Sequence, residues 1–471
     1  MDLPSVVVHR LDEVVVDEHH LVGPANATGA LTLADTVSFD GTIELHGARI
    51  LVDDVAASTL SGVVVARSEG LVRFAPIDAS VLDGLSATVT VQAEARDLGF
   101  VGSYLASVPW LTVSGPAHLD VEMALAHGRV QPGGRILART DGLTLGIRSY
   151  HVVGAGVLSV NVDDEATRLA VQLGDYALLA PGDSDPDERT LVSGQGFQVT
   201  ASSPSADLRE PLADLSVVVD LPDAELRNAS LLADFVPPEA GLRLLGGTGR
   251  IRGHLALRAD DAAHATGDVH LAGRDLTGRF GTLRFETDVD AHARLAQGDL
   301  VLGTYDVSGT DLRVSRMRLW DPDDGDDERP ERTWWARIAL PRAALALGDT
   351  ATLDADLTFD CADSGPLVDL VAQRRSLAGW VQQLLSKPDV KGRARLVVAD
   401  EVFAVKKLAV EAGKGAEVRL EMRRTKRGSR GAMFAKLGPM ALAMEFADKE
   451  KHLHLTNPRS WYADRTAPKE F

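Results

Sequence analysis

The stretch Leu283–Leu295, LRFETDVDAHARL, constrains this chain more than any other. Its odd positions are Leu283, Phe285, Thr287, Val289, Ala291, Ala293 and Leu295; its even positions are Arg284, Glu286, Asp288, Asp290, His292 and Arg294. A period of two is the side-chain period of a β-strand, so one face is apolar and the other charged. At ~3.3 Å per residue the run reaches roughly 40 Å, whereas a typical strand has about five or six residues. A sheet of such strands presents a long apolar face that something has to cover.

The same alternation recurs along the chain. It is present in Thr88–Ala95, in Leu119, Val121, Met123 and Leu125, in Leu215–Leu221, and in Leu353, Ala355, Leu357, Phe359 and Cys361. Leu158, Val160 and Val162 are expected to pair with Leu169, Val171 and Leu173 across the polar DDEAT turn. From Ser5 to Phe74 short strands are expected, with turns at Gly41, Gly47, Gly62 and Gly70. The end of the chain, through Trp461 and Tyr462, reads as a final hairpin with Asp448–Glu450 at its tip.

Three stretches change to helical spacing: Asp97–Leu111, Asn228–Val236 and Ser364–Leu385. Asn228 and Ser364 are candidate N-caps, and Pro109, Pro237 and Pro238 are stops. Each break is followed by a glycine and a strand, near Gly115, Gly249 and Gly392, at intervals of roughly 135 to 145 residues, beyond the usual solenoid repeat. The expected organisation is an N-terminal β-meander, 1–96, then three helix-plus-meander modules, 97–225, 226–360 and 361–471. Length alone suggests about three domains.

Composition narrows the function. With 49 basic against 68 acidic residues and a net charge of −19, the chain is a poor nucleic-acid binder, because that affinity comes from neutralising phosphates. Aromatic content is 5%, so the apolar face is built from Val, Leu and Ala. The single cysteine, Cys361, excludes an intrachain disulfide and reads as a small buried hydrophobe. No stretch approaches the ~20 apolar residues of a membrane helix, and the first residues read directly as strand. The expectation is a cytosolic protein or a piece of a longer one whose anchor lies outside these residues.

Periodicity leaves two architectures open, a closed sandwich and an open groove; unusual strand length favours the groove. The residues ASLLADFVPPEAGLRLLGGTGRIRGHLALRA, with looser matches at Asp97–Leu125 and Ser364–Val398, resemble the AsmA-like family, bacterial relatives of bridge-like lipid-transfer proteins that include long TamB-like grooves. The resemblance implies an all-β fold: an elongated, strongly curved antiparallel sheet forming an open hydrophobic groove from repeated modules, with three short amphipathic helices. It further implies a periplasmic location with an inner-membrane tether, and phospholipid movement towards the outer membrane. The groove lining is then expected at Leu255, Leu257, Leu283, Phe285, Val289, Leu295, Leu353, Leu357 and Phe359. The partners expected are phospholipid acyl chains and inner- and outer-membrane proteins. A periplasmic scaffold that offers sheet edges to outer-membrane proteins is the alternative.

Catalytic motifs are absent: no G-x-S-x-G, H-E-x-x-H, P-loop or C-x-x-C occurs, so no enzyme and no cofactor are expected. Gly246–Gly249 follows a leucine run but opens a strand, whereas a dinucleotide fingerprint needs a helix there. His452 and His454 share a strand face, but a metal site needs three or four converging ligands, and none is expected. DPDDGDDERPER, from Asp321, lacks the ligand order of a calcium loop, and this run and PGDSDPDER, from Pro181, read as hairpin tips. The basic cluster Arg423, Arg424, Lys426, Arg427 and Arg430, with Lys436 nearby, is a solvated loop or a contact for anionic head groups. Trp334 and Trp335 read as core or rim residues, with interfacial anchoring as the functional alternative.

Overall fold

A computed structural model describes the chain except residues 1, 9–12, 17–18, 34–35, 53–54, 73–83, 100–110, 148–149, 183–184, 208–213, 236–241, 259–263, 300–301, 322–332, 348–350, 366–386, 400–401, 414, 427, 449 and 466–471. The fold is all-β and antiparallel. Two compact units divide it: Met1–Ala224 with Ala256–Asp260, and Glu225–Leu255 with Asp261–Phe471.

The first unit contains β1 (Asp2–Val8), β2 (Glu13–Val16), β3 (His19–Val22), β4 (Ala25–Leu33), β5 (Thr36–Val52), β6 (Val55–Val72), β7 (Leu85–Ala95), β8 (Leu111–Ser114), β9 (Ala117–Ala126), β10 (Arg129–Val130), β11 (Arg135–Ile147), β12 (Tyr150–Val162), β13 (Thr167–Leu179) and β14 (Thr190–Ser203). Strand β15 (Ser216–Leu226) is shared, its last two residues, Glu225 and Leu226, grouping with the second unit. Register confirms one-sided alternation. Ala25, Leu45, Gly62, Val91, Val121, Ile136, Val160, Leu169 and Ala201 are cross-strand partners in one unbroken row from β4 to β14. The adjacent row on the other face includes Asn26, Glu44, Thr90, Glu122, Arg135 and Arg168. The expected hairpin is present, with Val160 opposite Leu169 and Leu158 opposite Val171.

Short strands before Phe74 are present in β1, β2 and β3, of 7, 4 and 4 residues, but the expectation is corrected for β5 and β6, which have 17 and 18. Gly41, Gly47, Gly62 and Gly70 lie inside them, not in turns. Gly62 shows why: its φ is +152° and a Cβ there would overlap the backbone of Thr90 and Val91, so glycine permits close approach within the sheet.

The second unit contains β16 (Leu242–Arg258, whose last residues group with the first unit), β17 (His264–Phe280), β18 (Leu283–Asp299), β19 (Thr304–Asp306), β20 (Thr310–Trp320), β21 (Trp334–Leu347), β22 (Ala351–Asp363), β23 (Pro388–Ala399), β24 (Val402–Ala412), β25 (Ala416–Thr425), β26 (Gly428–Leu437), β27 (Met440–Ala447) and β28 (Glu450–His454). The order is a meander with one exception: β19 and β20 share the lane between β18 and β21. Gly246–Gly249 sits inside β16.

The helices differ from expectation. Ala229–Phe235 is a 3-10 helix, not an α-helix; Asn228 does cap it, its side chain accepting from the Ser230 N–H at 2.9 Å. Pro237 and Pro238, one residue past its end in sequence, are stop signals for a longer helix. Most of Asp97–Leu111 and of Ser364–Leu385 lies outside the described residues. Two α-helices were not expected: α1 (Pro186–Arg189), within the supposed hairpin tip after Pro181, and α2 (Pro458–Asp464), within the supposed final hairpin. Both carry Pro at the first helical turn after Asp185 or Asn457, a start signal stronger than the surrounding strand pattern. The Asp448–Glu450 tip itself is where expected, with Ala447 opposite Glu450. No helix among the described residues is long and apolar enough to cross a membrane.

Candidate functional site

The candidate site is the apolar face of the second unit. Strand β18 has no extra residue between Leu283 and Leu295, so Leu283, Phe285, Val289 and Leu295 share a face, although burial does not alternate throughout: Thr287 and Asp288 are both buried, and Ala293 and Arg294 are both exposed. From there the register carries one apolar row across ten strands: Leu271, Ala291, Leu312, Ile338, Phe359, Gly392, Val410, Val418, Ala435 and Leu442. A neighbouring row runs from Val289 through Val314, Ala336, Cys361 and Val390 to Ala412. Ten strands at ~4.8 Å spacing make the first row about 43 Å long. One residue over in each strand the opposite face reads Asp290, Arg313, Arg337, Asp360, Lys391, Glu411, Glu417 and Lys436.

Leu353, Leu357 and Phe359 lie on this same apolar face, opposite Val398, Ala394 and Gly392 of β23. Leu255 stands beside Gly267, whose partner is Leu295. Leu257 is half-buried two residues further along β16. Burial is graded. Leu283 and Phe285 are buried, as are Ala336, Cys361 and Val390, packed under Val314, Trp334 and Phe359. Val289, Leu295, Leu353, Leu357 and Phe359 are only half-buried, as are Leu312, Ile338, Val410, Val418 and Leu442. Burial pushes the Cys361 thiol up to about 11, which keeps it protonated and unreactive at neutral pH.

The charged face is fastened at one point. The two strands flanking β18 each carry an extra residue at the same level: β17 between Gly273 and Leu276, opposite Thr287 and Val289, and β20 between Val314 and Arg318, opposite Glu286 and Asp288 of β18 and Trp334 and Ala336 of β21. Asp275 and Arg316 take left-handed backbone there, φ 47° and 53°. Asp288 lies among them with its side chain 5% exposed. It accepts hydrogen bonds from Arg316 Nε at 2.6 Å and Nη2 at 2.8 Å, from Arg274 Nη1 at 3.1 Å and from the Asp275 N–H at 3.1 Å. The Arg316 bonds, aided by Asp275 and Arg274, outweigh burial and hold the Asp288 carboxyl at about 2. Bulges bend a strand and increase its twist. A second charged cluster spans β21 to β23: Arg342 donates to Asp356 at 2.9 Å, and Arg395 grips Asp354 through Nε at 2.9 Å and Nη2 at 2.6 Å.

The basic cluster is not one patch. Arg423 and Arg430 are cross-strand partners on the charged face, whereas Arg424, opposite Phe403, is on the apolar one. Lys426 is exposed in the following turn, and Arg427 lies outside the described residues. The tryptophans also separate: the Trp334 indole donates to the Asp363 carbonyl at 2.8 Å, while Trp335 is 42% exposed. Of the paired histidines, His454 stacks on Trp461 at 3.9 Å and His452 is exposed. The acidic run from Asp321 falls mostly outside the described residues. A cavity of about 580 Å³ lies at the ends of β18, β19 and β21–β23 and mixes Tyr305, Leu353 and Val398 with Asp299, Asp306 and Asp354.

Helix α2 packs on the charged face, not the apolar one. Tyr462 meets Phe434 at 6.2 Å, and Phe434 alternates with Met433 and Ala435 of the apolar face. Phe434, Ala432 and Ala443 are buried there. Sequence pattern missed this because β26 and β27 are apolar on both faces. Comparison of the chain with protein families, with curated proteins and with solved structures finds no match in any of the three.

Proposed function

We propose that this protein is a non-enzymatic carrier of lipid hydrocarbon, with the apolar face of the second unit as an open groove for phospholipid acyl chains. The observation that carries the reading is the uninterrupted apolar row from Leu271 to Leu442, most of whose side chains are half-buried. In a packed core these Leu, Ile and Val positions would be fully buried. A chain of about sixteen CH₂ groups gains on the order of 10 kcal/mol if fully buried. Because Val, Leu and Ala make the whole row, the free energy of a chain varies little from one strand to the next, so it can slide. Within the row itself no charged side chain selects a head group, and the charged face keeps the sheet in water.

On this reading the chain is AsmA-like, works in the periplasm beside an inner-membrane tether, and passes phospholipid between membranes. The resemblance of the Ala229–Ala259 stretch supports those points. We take the lining expected from sequence as that of the groove, and Arg424, opposite Phe403 on the same face, as its contact for an anionic head group. Native mass spectrometry of protein purified from membranes tests it: phospholipid is expected to co-purify. Val289→Glu and Leu357→Glu are expected to lower the load severalfold with the β-sheet circular dichroism unchanged, and an unchanged load sinks the proposal.

The scaffold alternative draws on β28, which pairs with β27 on one side. Its Glu450 and Lys451, charges of the kind that protect an edge from pairing, weigh against it. Crosslinking that captures an outer-membrane protein in place of lipid would favour it.

A further inference from the structure

Three phenylalanines of the apolar face lie over glycines of the next strand: Phe285 over Gly278, Phe359 over Gly392 and Phe446 over Gly431. A Cβ on any of these glycines would overlap the ring of its partner. Each ring is therefore laid along the sheet and does not stand off it. The pairs are distributed over β17–β18, β22–β23 and β26–β27, so they recur across the face. Filling a glycine gap with a cross-strand ring restores lost packing. Packing alone does not account for Phe359, whose ring stays half-buried in the middle of the long row. Its row neighbours Leu312, Ile338, Val410 and Val418 are aliphatic. A standing phenylalanine would be the tallest side chain in the row, and Gly392 removes that obstacle.

We infer that the phenylalanine–glycine pairs set the height of the lining and make it selective for unbranched hydrocarbon chains over rigid fused-ring lipids. This rests on the lipid reading above. The strands are bulged within β17, β20, β21 and β24, so the lining is bent. A chain that rotates about every C–C bond follows a low, bent surface and buries its full length. A rigid ring plate touches only the high points and loses most of that burial. Phe359 and Gly392 are thus specificity-determining residues of the central part of the row.

The test uses two fluorescent probes on the whole chain, cis-parinaric acid for an unbranched chain and dehydroergosterol for a fused-ring lipid. Wild type is expected to bind the first at least about tenfold more tightly. Gly392→Val, which lifts the Phe359 ring, is expected to weaken cis-parinaric acid about tenfold. Adding Phe359→Ala to that variant returns the lost space and is expected to restore binding, and the thermal midpoint of Gly392→Val is expected to stay close to wild type, which a purely structural role does not allow. Phe359→Ala alone avoids any clash and is expected to raise dehydroergosterol affinity severalfold. Equal affinity of wild type for both probes overturns the inference. So does unchanged discrimination in Phe359→Ala. Wild type binding neither probe overturns the lipid reading itself, and this inference with it.

Discussion

The two units share a grammar and differ in how far they use it to fill themselves. Each has an apolar row that crosses its sheet without a polar interruption, and each has charges one residue over. Among the described residues, however, eight buried leucines fall in the first unit and three in the second. In the first, Leu143, Leu145, Leu173 and Val192 are no more than 2% exposed, and Tyr176 packs on Phe197 at 5.4 Å. In the second, the fully buried apolar positions are mostly small, such as Ala343, Ala355, Ala432 and Ala443, while the leucines of its long row, Leu271, Leu312 and Leu442, stay half-buried. An alternating strand therefore fixes which face is apolar, but not whether the protein's own side chains fill the space in front of it.

The largest expected effects separate the units most directly. Leu145→Ala removes a side chain from a closed environment and is expected to cost about 3 kcal/mol. Leu312→Ala, on the half-buried row, removes atoms that already meet solvent and is expected to cost about 1 kcal/mol. Urea unfolding, followed by hydrogen exchange on the strands of each unit, measures both without assuming one transition. Equal costs would mean that the second lining is as tightly covered as the first core, and the contrast would disappear.

The next effect belongs to the second unit's fastening at Asp288. Its folded carboxyl titrates at about 2, below the ordinary 3.8. A depressed carboxylate contributes stability that is complete above the unfolded value and is lost as pH falls through the folded one. The shift amounts to about 2 kcal/mol, lost between roughly pH 4 and pH 2. Asp288→Asn is expected to remove that amount at neutral pH, through the bonds to Arg316 first. The gap between variant and wild type in hydrogen-exchange protection of β17, β18 and β20 should then close as pH approaches 2. A gap that stays constant over that range would show that the bulges hold by backbone geometry alone.

Much of this was legible in the sequence, and the failures have physical causes. Strand β18 and the pairing of Val160 with Leu169 followed from period two. Gly41, Gly47 and Gly62 were misassigned because glycine serves turns and close backbone approach alike. The signals for α1 and α2, Asp185-Pro186 and Asn457-Pro458, were present but were outweighed by neighbouring strand pattern. The aligned bulges had no local signal: Asp275 and Arg316 carry positive φ without being glycine, and only three adjacent strands together show why. The lining residues were readable as a face, whereas the laid-down rings became visible only when cross-strand register put Phe359 beside Gly392.

The smallest expected effect sharpens the comparison by showing where the units do not differ. On the charged face of the first, Arg139 meets Asp120 at 2.7 Å; on that of the second, Lys391 meets Asp360 at 3.8 Å. All four side chains are more than two-fifths exposed, so water and salt screen both pairs. Arg139→Ala and Lys391→Ala are each expected to shift stability by less than about 0.5 kcal/mol, and less again at high salt. Thermal unfolding at low and high ionic strength measures this. A large loss in one unit alone would mean that its charged face is also packed against something. The difference between the units would then extend to both faces, and half-burial of the apolar row would no longer single it out as the surface left for a ligand.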